Sequence, residues 1–352
     1  MKKIRVLIVE DSPVVRELLL YIIGSDARFE VVAAVGSAEE ALQGLDRFAP
    51  DVISLDIRLP GMNGLDATLE IMATHPMPIV VVSASVQDDE LNIAMNALRA
   101  GALTVVEKPV GVTSDAYRAL ADQLCNQLAI MSQVRVVKQA RRRNLNFGSA
   151  ERMEAMPAPS WETVRPKMLG LVASTGGPNA LSRVLNGLPR DFPLPILIVQ
   201  HMTAGFVDGF VQWLSQVTPF PAHMAGDGML PRPASLYLPP ADHHLEIKGG
   251  RLYLNTAPPV VAQRPSGTVL FKSMARDLKE AGIGVLLTGM GADGAEGMLE
   301  MRRSGAYTLA EDESTTVIYG MPGEAVRMGA VRESLPLDAI ALRLRQLVGV
   351  LS

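Results

Sequence analysis

Residues 4–24 read IRVLIVEDSPVVRELLLYIIG, and this stretch decides the fold of the first part of the chain. A short apolar run is followed by apolar residues at spacings of three and four, the pattern of a buried strand leading into an amphipathic helix. Four further runs, FEVVAAV, DVISLD, PIVVVSA and LTVVEKP, follow before about residue 130. Strands that alternate with helices form a parallel sheet covered on both faces, so we expect a doubly wound α/β domain over residues 1–130.

A second alternating series begins after a stretch without periodicity. Residues 131–166 contain Pro, Met and charged residues but no sustained spacing, so we interpret them as a linker. Over residues 167–352, apolar runs such as MLGLVAS, PILIVQH and GIGVLLTG again alternate with helical patterns. This predicts a second α/β domain with a mainly parallel sheet. Within it, SLYLPPADHHLEIKGGRLYL predicts a small pair of antiparallel strands around a Gly-Gly turn.

The composition is that of a globular protein with two domains. The chain has 352 residues, of which 48% are hydrophobic and 20% charged, and its formal net charge of −4 gives no electrostatic reason to expect nucleic acid as a partner. The single cysteine, Cys125, lies in a helical pattern and is typical of a buried thiol in a reducing compartment. No signal peptide and no uncharged apolar stretch of about 18 residues is present. We therefore expect a cytoplasmic protein without membrane insertion.

Charged and hydroxyl side chains follow the predicted strands of the first domain, at the point where each strand ends. They are Glu10, Asp11, Asp56, Ser83 and Lys108. In an open parallel sheet these ends meet at one edge, so the side chains should lie close together. Three carboxylates repel one another unless a cation lies among them, and an all-oxygen site suits Mg²⁺. The set favours phosphoryl transfer to Asp56, although acids at strand ends can instead cap helices, as Asp11-Ser12-Pro13 could.

Several stretches of this domain resemble the receiver domain of bacterial two-component response regulators. They are VLIVEDSPVVRELL, DVISLDIRLPGMNGLD, PIVVVSA and VVEKP, and the resemblance covers roughly residues 3–128. It implies a five-stranded doubly wound domain that receives a phosphoryl group from a sensor histidine kinase. Asp56 is then the phosphoacceptor, Ser83 the switch hydroxyl and Lys108 the phosphoryl-sensing cation. The implied ligands of Mg²⁺ are the carboxylates Glu10, Asp11 and Asp56.

In the second domain, GLVASTGGPNAL, residues 170–181, ends a predicted strand in a glycine-rich turn after Ser174. A serine hydroxyl is a poor nucleophile without a base, and an imidazole is the best base when a carboxylate orients it. His201 follows the run PILIVQ, and Asp293 lies in the loop after GIGVLL, so both are expected at the same sheet edge as Ser174. His243 and His244 rank below His201 because they lie in the predicted antiparallel turn. The glycines permit a sharp turn, and the following helix offers free N–H groups to an oxyanion.

The loop GMGADG, residues 289–294, supports an alternative. It matches G-x-G-x-x-G between a strand and a helix, with acids at residues 311–313 about twenty residues further on, and would then bind a dinucleotide. The carboxylate of Asp293 opposes this interpretation because it would repel a pyrophosphate. An alternative of another class is a response regulator whose second domain docks a partner without catalysis. A DNA-binding output is opposed by the absence of a helix-turn-helix or basic domain after the linker.

The second half also resembles a known family, the chemotaxis receptor protein-glutamate methylesterases, whose order is receiver, linker, esterase. The resemblance covers about residues 167–345 and rests on VASTGGP, VQHM, RPSGTVLFKSMA, LLTGMGADGAEGM and VIYGMPGEAV. It implies a phosphorylation-activated hydrolase that demethylates glutamate γ-methyl esters on chemoreceptor helices and deamidates receptor glutamines. The implied triad is Ser174, His201 and Asp293, with the Met290 backbone N–H as oxyanion donor. The ester chemistry implies no cofactor.

Three positions depart from these family patterns. Many receivers carry an aromatic residue three positions before the lysine, where this chain has Val105, which argues against switching by an aromatic rotamer. The methylesterases usually read Pro after His-Met, where this chain has Thr203, and an aspartate in the RPS motif, where it has Thr268. None of the three belongs to the implied triad. Thr203 and Thr268 are expected near the cleft, so the chemistry follows from the resemblance more directly than the substrate preference does.

Overall fold

The computed structural model describes residues 2–83, 95–98, 100–109, 114–134 and 164–350. Most of the predicted linker, residues 135–163, lies outside this set. Within the described ranges, no helix is long and apolar enough to cross a membrane.

The first domain contains one five-stranded parallel sheet in the order β2-β1-β3-β4-β5. Its strands are β1 (Ile4–Val9), β2 (Phe29–Val35), β3 (Val52–Asp56), β4 (Ile79–Ser83) and β5 (Thr104–Glu107). The helices of this domain with assigned bounds are α1 (Pro13–Ser25), α2 (Ala38–Phe48), α3 (Gly64–Thr74) and α4 (Ser114–Met131). This order confirms the predicted doubly wound fold. Cys125 is buried in α4 as expected, and burial raises the pKa of its thiol to about 11.

Local sequence sets the start of the helix beside the acidic cluster. Ser12 caps α1, because its hydroxyl accepts a hydrogen bond from Val15 N–H, and Pro13 is pre-organised for the first helical turn. Asp11 remains exposed and does not cap the helix. Helix capping therefore accounts for Ser12 and leaves the neighbouring carboxylates for another role.

The second domain contains a seven-stranded parallel sheet in the order β14-β13-β12-β6-β7-β9-β8, together with a separate antiparallel hairpin, β10-β11. The strands are β6 (Met168–Ala173), β7 (Ile196–Gln200), β8 (Ala222–Met224), β9 (Leu236–Leu238), β10 (His244–Lys248), β11 (Arg251–Asn255), β12 (Gly282–Leu286), β13 (Tyr307–Glu311) and β14 (Glu333–Leu335). The helices are α5 (Gly177–Asn186), α6 (Val207–Val217), α7 (Gly267–Asp277), α8 (Ala295–Arg303), α9 (Met321–Arg327) and α10 (Leu337–Leu347). Short 3₁₀ turns span Ala204–Phe206 and Lys279–Ala281.

An antiparallel hairpin turns at the predicted glycines, Gly249 and Gly250, which both have positive φ. The run SLYL, predicted to belong to this pair, instead forms β9, which pairs in parallel with β7 and β8 in the main sheet. Two edge strands were not predicted. The strands β8 and β14 have three residues each and include polar side chains, so they give no apolar run in the sequence.

The centre of the second sheet is buried on both faces, which explains why its strands are continuous apolar runs. Leu169 and Leu171 of β6 pack in one layer together with residues of α5 and α10. Val172, on the opposite face, packs in a second layer with Phe271 and Met274 of α7. The strands β12, β6 and β7 are thus held side by side, and their carboxyl ends form one rigid edge.

Candidate active site and phosphoacceptor site

Three neighbouring strands carry the predicted triad of the second domain. Ser174 directly follows β6, His201 directly follows β7, and Asp293 lies in the loop that joins β12 to α8. Backbone hydrogen bonds fix the register, because Ser174 N–H donates to Thr288 O at 3.0 Å and His201 N–H donates to Ala173 O at 3.1 Å. The structure therefore brings all three residues to one edge, as the strand-end argument predicts.

The imidazole of His201 is bound to the carboxylate of Asp293. His201 Nε2 lies 2.8 Å from Asp293 Oδ2, and the two side chains are only 7% and 2% exposed. An ionised carboxylate can only accept, so Nε2 carries the hydrogen and donates it. The other ring nitrogen, Nδ1, is then unprotonated in the neutral imidazole and is the one that can take a proton from a nucleophile.

Asp293 also binds the N-terminus of α7. Its Oδ1 accepts hydrogen bonds from Ser266 Oγ at 2.6 Å and Thr268 N–H at 3.0 Å, and its Oδ2 accepts from Gly267 N–H at 2.6 Å. Burial alone would raise the pKa of Asp293, but the hydrogen bond and charge of His201, together with the bonds from Ser266 and Thr268, lower it to about 2. Asp293 is therefore a permanent negative charge that orients the imidazole.

Two more side chains hold this carboxylate in place. Thr268 Oγ1 accepts a hydrogen bond from Gly294 N–H at 2.8 Å, which ties the start of α7 to the loop that carries Asp293. This hydroxyl lies at the position where the family pattern usually has an aspartate.

His244 is fully buried, and its Nδ1 accepts from Ser266 N–H at 3.2 Å while its Nε2 faces Pro258 O at 3.2 Å. His244 thus supports the start of α7 rather than the reacting edge.

The turn after Ser174 has the close packing that its glycines suggest. Gly176 has a φ of 76°, and Gly177 N–H donates back to Ser174 O at 2.8 Å. An added Cβ on Gly289 would lie 2.7 Å from Ser174 Cβ, so the loop that continues into Met290 passes directly beside the serine. Ser174 Oγ has no hydrogen bond to any described residue. Catalytic contacts of this kind are often incomplete without substrate.

The loop 289–294 lies between a strand and a helix, as a dinucleotide fingerprint requires. The side chain of Asp293, however, is 2% exposed and turned toward His201 and α7. Gly291 and Gly294 have φ values of 86° and 89°, which let the loop turn sharply on either side of this aspartate. The geometry accounts for the glycines through the placement of Asp293 and does not need a pyrophosphate.

The predicted phosphoacceptor of the first domain is buried beside a lysine. Lys108 Nζ lies 2.9 Å from Asp56 Oδ2 and 2.8 Å from Glu10 Oε2, and all three residues are buried. Ser83, also buried, ends β4, and its carbonyl accepts a hydrogen bond from Lys108 N–H at 2.8 Å. These contacts bring the predicted switch residues to one sheet edge.

The carboxylates of this site suit a hard divalent cation. Glu10, Asp11 and Asp56 can each offer an oxygen, and these oxygens lie within 4.8 Å of one another. Burial raises the pKa of Glu10 and of Asp56, and Lys108 offsets only part of that effect. The site therefore has buried acid oxygens that a cation would stabilise, an all-oxygen donor set, and an exposed ligand in Asp11, which fits Mg²⁺.

A cavity of about 590 Å³ lies between the two domains. Val105 and Gln123 line it from the first domain, and Ser174 and His201 line it from the second. Gln123 Nε2 of α4 donates a hydrogen bond to Thr203 Oγ1 at 3.2 Å across this cavity. Two of the departures from the family patterns, Val105 and Thr203, thus lie in the interdomain cleft, and a proline at position 203 could not provide this side-chain acceptor.

Sequence reasoning missed two buried residues that support Ser174. Gln200, the last residue of β7, contacts the backbone of Ser174 and His201. Glu311, at the end of β13, accepts from Thr288 N–H at 2.9 Å, and burial raises its pKa to about 7. The rule that functional residues follow the carboxyl ends of strands could have identified Glu311. In the sequence analysis, the acids at 311–313 were weighed only as part of a dinucleotide fingerprint.

Comparison with known proteins finds two family models in this chain. The CheB methylesterase model matches residues 169–344, and the response regulator receiver domain model matches residues 6–115. Protein-glutamate methylesterase/protein-glutamine glutaminase 2 of Paramagnetospirillum magneticum is 61% identical over 346 residues, 98% of each chain. The protein of the same activity from Nitrosospira multiformis is 43% identical over 98% of this chain and 97% of its own. The solved methylesterase catalytic domain of Thermotoga maritima CheB is 33% identical, covers 53% of this chain and 100% of its own, and has a TM-score of 0.50.

Proposed function

We propose that the chain demethylates glutamate γ-methyl esters on chemoreceptors and deamidates receptor glutamines during chemosensory adaptation. The chain belongs to the CheB methylesterase family and carries a receiver domain. In this function the chain consists of a receiver (1–130), a linker (131–166) and a catalytic domain (167–352), and it acts in the cytoplasm. The observation that carries it is the buried His201–Asp293 pair at the same edge as Ser174.

In the proposed reaction, Ser174 Oγ attacks the ester carbonyl while His201 Nδ1 takes the hydroxyl proton. The Met290 N–H stabilises the oxyanion that forms. The first turn of α5 offers less than the sequence predicts, because Gly177 N–H donates to Ser174 O, Ala180 N–H donates to Gly176 O and Pro178 has no N–H. The tetrahedral intermediate collapses as the protonated His201 donates to the leaving oxygen, and methanol departs. Water, activated by the same imidazole, then hydrolyses the acyl-enzyme and returns Ser174. For a glutamine substrate the leaving group is ammonia.

The receiver is proposed to control access to this site. Asp56 accepts a phosphoryl group from a sensor histidine kinase, Lys108 pairs with the added charge, and Ser83 turns toward the phosphoryl oxygens. Mg²⁺ held by Glu10, Asp11 and Asp56 would neutralise charge on the transferring oxygens. The contact between α4 and Thr203 supports occlusion, because it lies over the cavity that contains Ser174 and His201. A change of about 1–3 kcal/mol in the docking equilibrium would change activity about 5- to 150-fold.

Release of methanol from methylated chemoreceptor membranes tests the proposed function. A methylesterase releases methanol stoichiometrically with lost methyl groups. A response regulator whose second domain only docks a partner, the alternative from another class, releases none. Both proteins would accept phosphoryl groups at Asp56, so methanol is the product that separates them.

Asp56→Asn is expected to hold methanol release at the basal rate whether or not Mg²⁺ and a small phosphodonor are present, because an amide cannot accept the phosphoryl group. The parent protein should respond about 5- to 150-fold, and only when both are added. Asp46→Asn, the same change at an exposed carboxylate of α2, is the matched control and should respond like the parent. A full phosphodonor response in Asp56→Asn would contradict the assignment.

Gln123→Ala is expected to raise the activity of the unphosphorylated protein about 2- to 10-fold, because it removes the hydrogen bond to Thr203 from the occluded state. Phosphorylated activity should be unchanged, since that contact is then broken. Gln133→Ala, at an exposed glutamine just beyond α4, is the matched control. Equal basal rates in the parent, Gln123→Ala and Gln133→Ala would show that this contact does not contribute to occlusion.

A further inference from the structure

The side chain of Gln200 joins the backbones of the two residues that exchange a proton in the proposed reaction. Gln200 is the last residue of β7 and is 6% exposed. Its Nε2 donates to Ser174 O at 2.8 Å and to His201 O at 2.9 Å. One amide group therefore binds the main chain of the nucleophile and the main chain of the base at once.

This link begins where the sheet ends. The ladder between β6 and β7 finishes with the pair Ala173 and Gln200, and its last bond is His201 N–H to Ala173 O at 3.1 Å. The next carbonyl, that of Ser174, turns away into the glycine-rich turn and has no strand partner. The Gln200 amide takes the place of the missing ladder bond and keeps the two chains together beyond the sheet.

The orientation of the amide is determined by its neighbours. Both carbonyl oxygens can only accept, so Nε2 must face them and Oε1 must point the other way. Oε1 is buried against the first turn of α5 and has no hydrogen bond among the described residues. A Cβ on Gly177 would collide with this oxygen, so the turn after Ser174 is shaped to accept the glutamine. A buried acceptor without a partner is unfavourable, and it persists here because the nitrogen holds both carbonyls.

We infer that Gln200 is a positioning residue that sets the separation between Ser174 and His201. The inference rests on the proposed function, since it concerns the same nucleophile and base. Ser174 Oγ has no hydrogen bond within the described part of the chain, so the serine reaches His201 Nδ1 only if the two backbones stay in register. Loss of the link should slow proton transfer and attack, while the surfaces that bind a receptor helix remain.

The test uses Gln200→Glu and Gln200→Met in the full chain, with Mg²⁺ and phosphodonor present. Glu keeps the shape but places a carboxylate oxygen against two carbonyls, and Met keeps the length without a donor. The readouts are the rate at which a fluorophosphonate probe labels Ser174, followed by intact mass, and kcat and KM for methanol release. Both variants are expected to lower kcat and the labelling rate about 10- to 100-fold and to leave KM within about twofold.

Labelling rates are taken per folded molecule, with the folded fraction measured by circular dichroism, so that a variant of lower stability remains informative. Gln346→Glu, at an exposed glutamine of α10, controls for the added charge and should match the parent. If the parent labels at Ser174 and both Gln200 variants label equally fast, the inference is overturned and the proposed function stands. If Ser174 of the parent is not labelled at all, the proposed function fails, and the inference fails with it.

Discussion

Ser174→Ala is expected to lower methanol release from methylated receptor membranes by roughly 10³-fold or more, because the members of a nucleophilic triad act as a unit. The substitution removes only the attacking oxygen. The His201–Asp293 bond and the packing of Gly289 against the Cβ of residue 174 remain. The rate of methanol release under phosphorylating conditions measures the effect. Binding of receptor membranes should be unchanged, since the loss is confined to the chemical step.

Ser182→Ala provides the control for this experiment. Ser182 is a buried serine of α5, eight residues further along the chain, and lies outside the reacting edge. Its variant should keep the parent rate within about twofold, as expected for a change distant from the chemistry. A Ser174→Ala protein that retains activity within about tenfold of the parent would show that another group is the nucleophile.

Asp293→Asn is expected to reduce activity on the order of 10²- to 10³-fold, less than Ser174→Ala because the nucleophile is kept. The aspartate accepts from Gly267 N–H and Thr268 N–H as well as from His201, one backbone donor at each oxygen. An amide has one oxygen, so its NH₂ must face a backbone N–H on one side. If it faces Gly267, it also forces His201 into the tautomer whose Nδ1 carries the hydrogen and cannot accept one.

The same substitution should lower stability. The pKa of Asp293 falls from 3.8 to about 2 in the folded protein, and a shift of this size corresponds to about 2 kcal/mol. Because the folded pKa is the lower one, this contribution is present above about pH 4 and is lost as the pH falls through about 2. Urea unfolding of the parent and variant at neutral pH measures the difference in their free energy of unfolding.

Asp277→Asn is the matched control, because Asp277 also accepts two backbone N–H bonds, from Gly249 and Gly250, at the far end of α7. It should lose stability but keep activity. An Asp293→Asn protein with parental activity would exclude Asp293 as the residue that orients His201.

Much of the fold and the placement of the site residues followed from the sequence. The apolar runs predicted the buried strands because a sheet covered on both faces needs no polar alternation. The rule that working residues lie beyond the carboxyl ends of parallel strands then placed Ser174, His201 and Asp293 at one edge. The same rule brought Asp56 and Lys108 together, which are 2.9 Å apart in the structure.

Other features depend on tertiary packing that has no local pattern. The N-terminus of α7 approaches Asp293 only because α7 packs across β6. The motif RPSG therefore did not predict that residues 266–268 supply three hydrogen-bond donors to Asp293. Gln200 ends an apolar run, and nothing in the local sequence predicts that its side chain donates to Ser174 O and His201 O. The contact between Gln123 and Thr203 joins residues of different domains, and a linker without periodicity does not predict how domains dock.

The decisive experiment measures methanol release by the full chain from methylated chemoreceptor membranes in Mg²⁺, before and after addition of a small phosphodonor. We expect a slow basal release that rises about 5- to 150-fold once Asp56 is phosphorylated. Methanol release should stop when the receptor methyl groups are exhausted. If a protein shown by mass to be phosphorylated releases no methanol in either condition, it is not a methylesterase, and the second domain is a docking module.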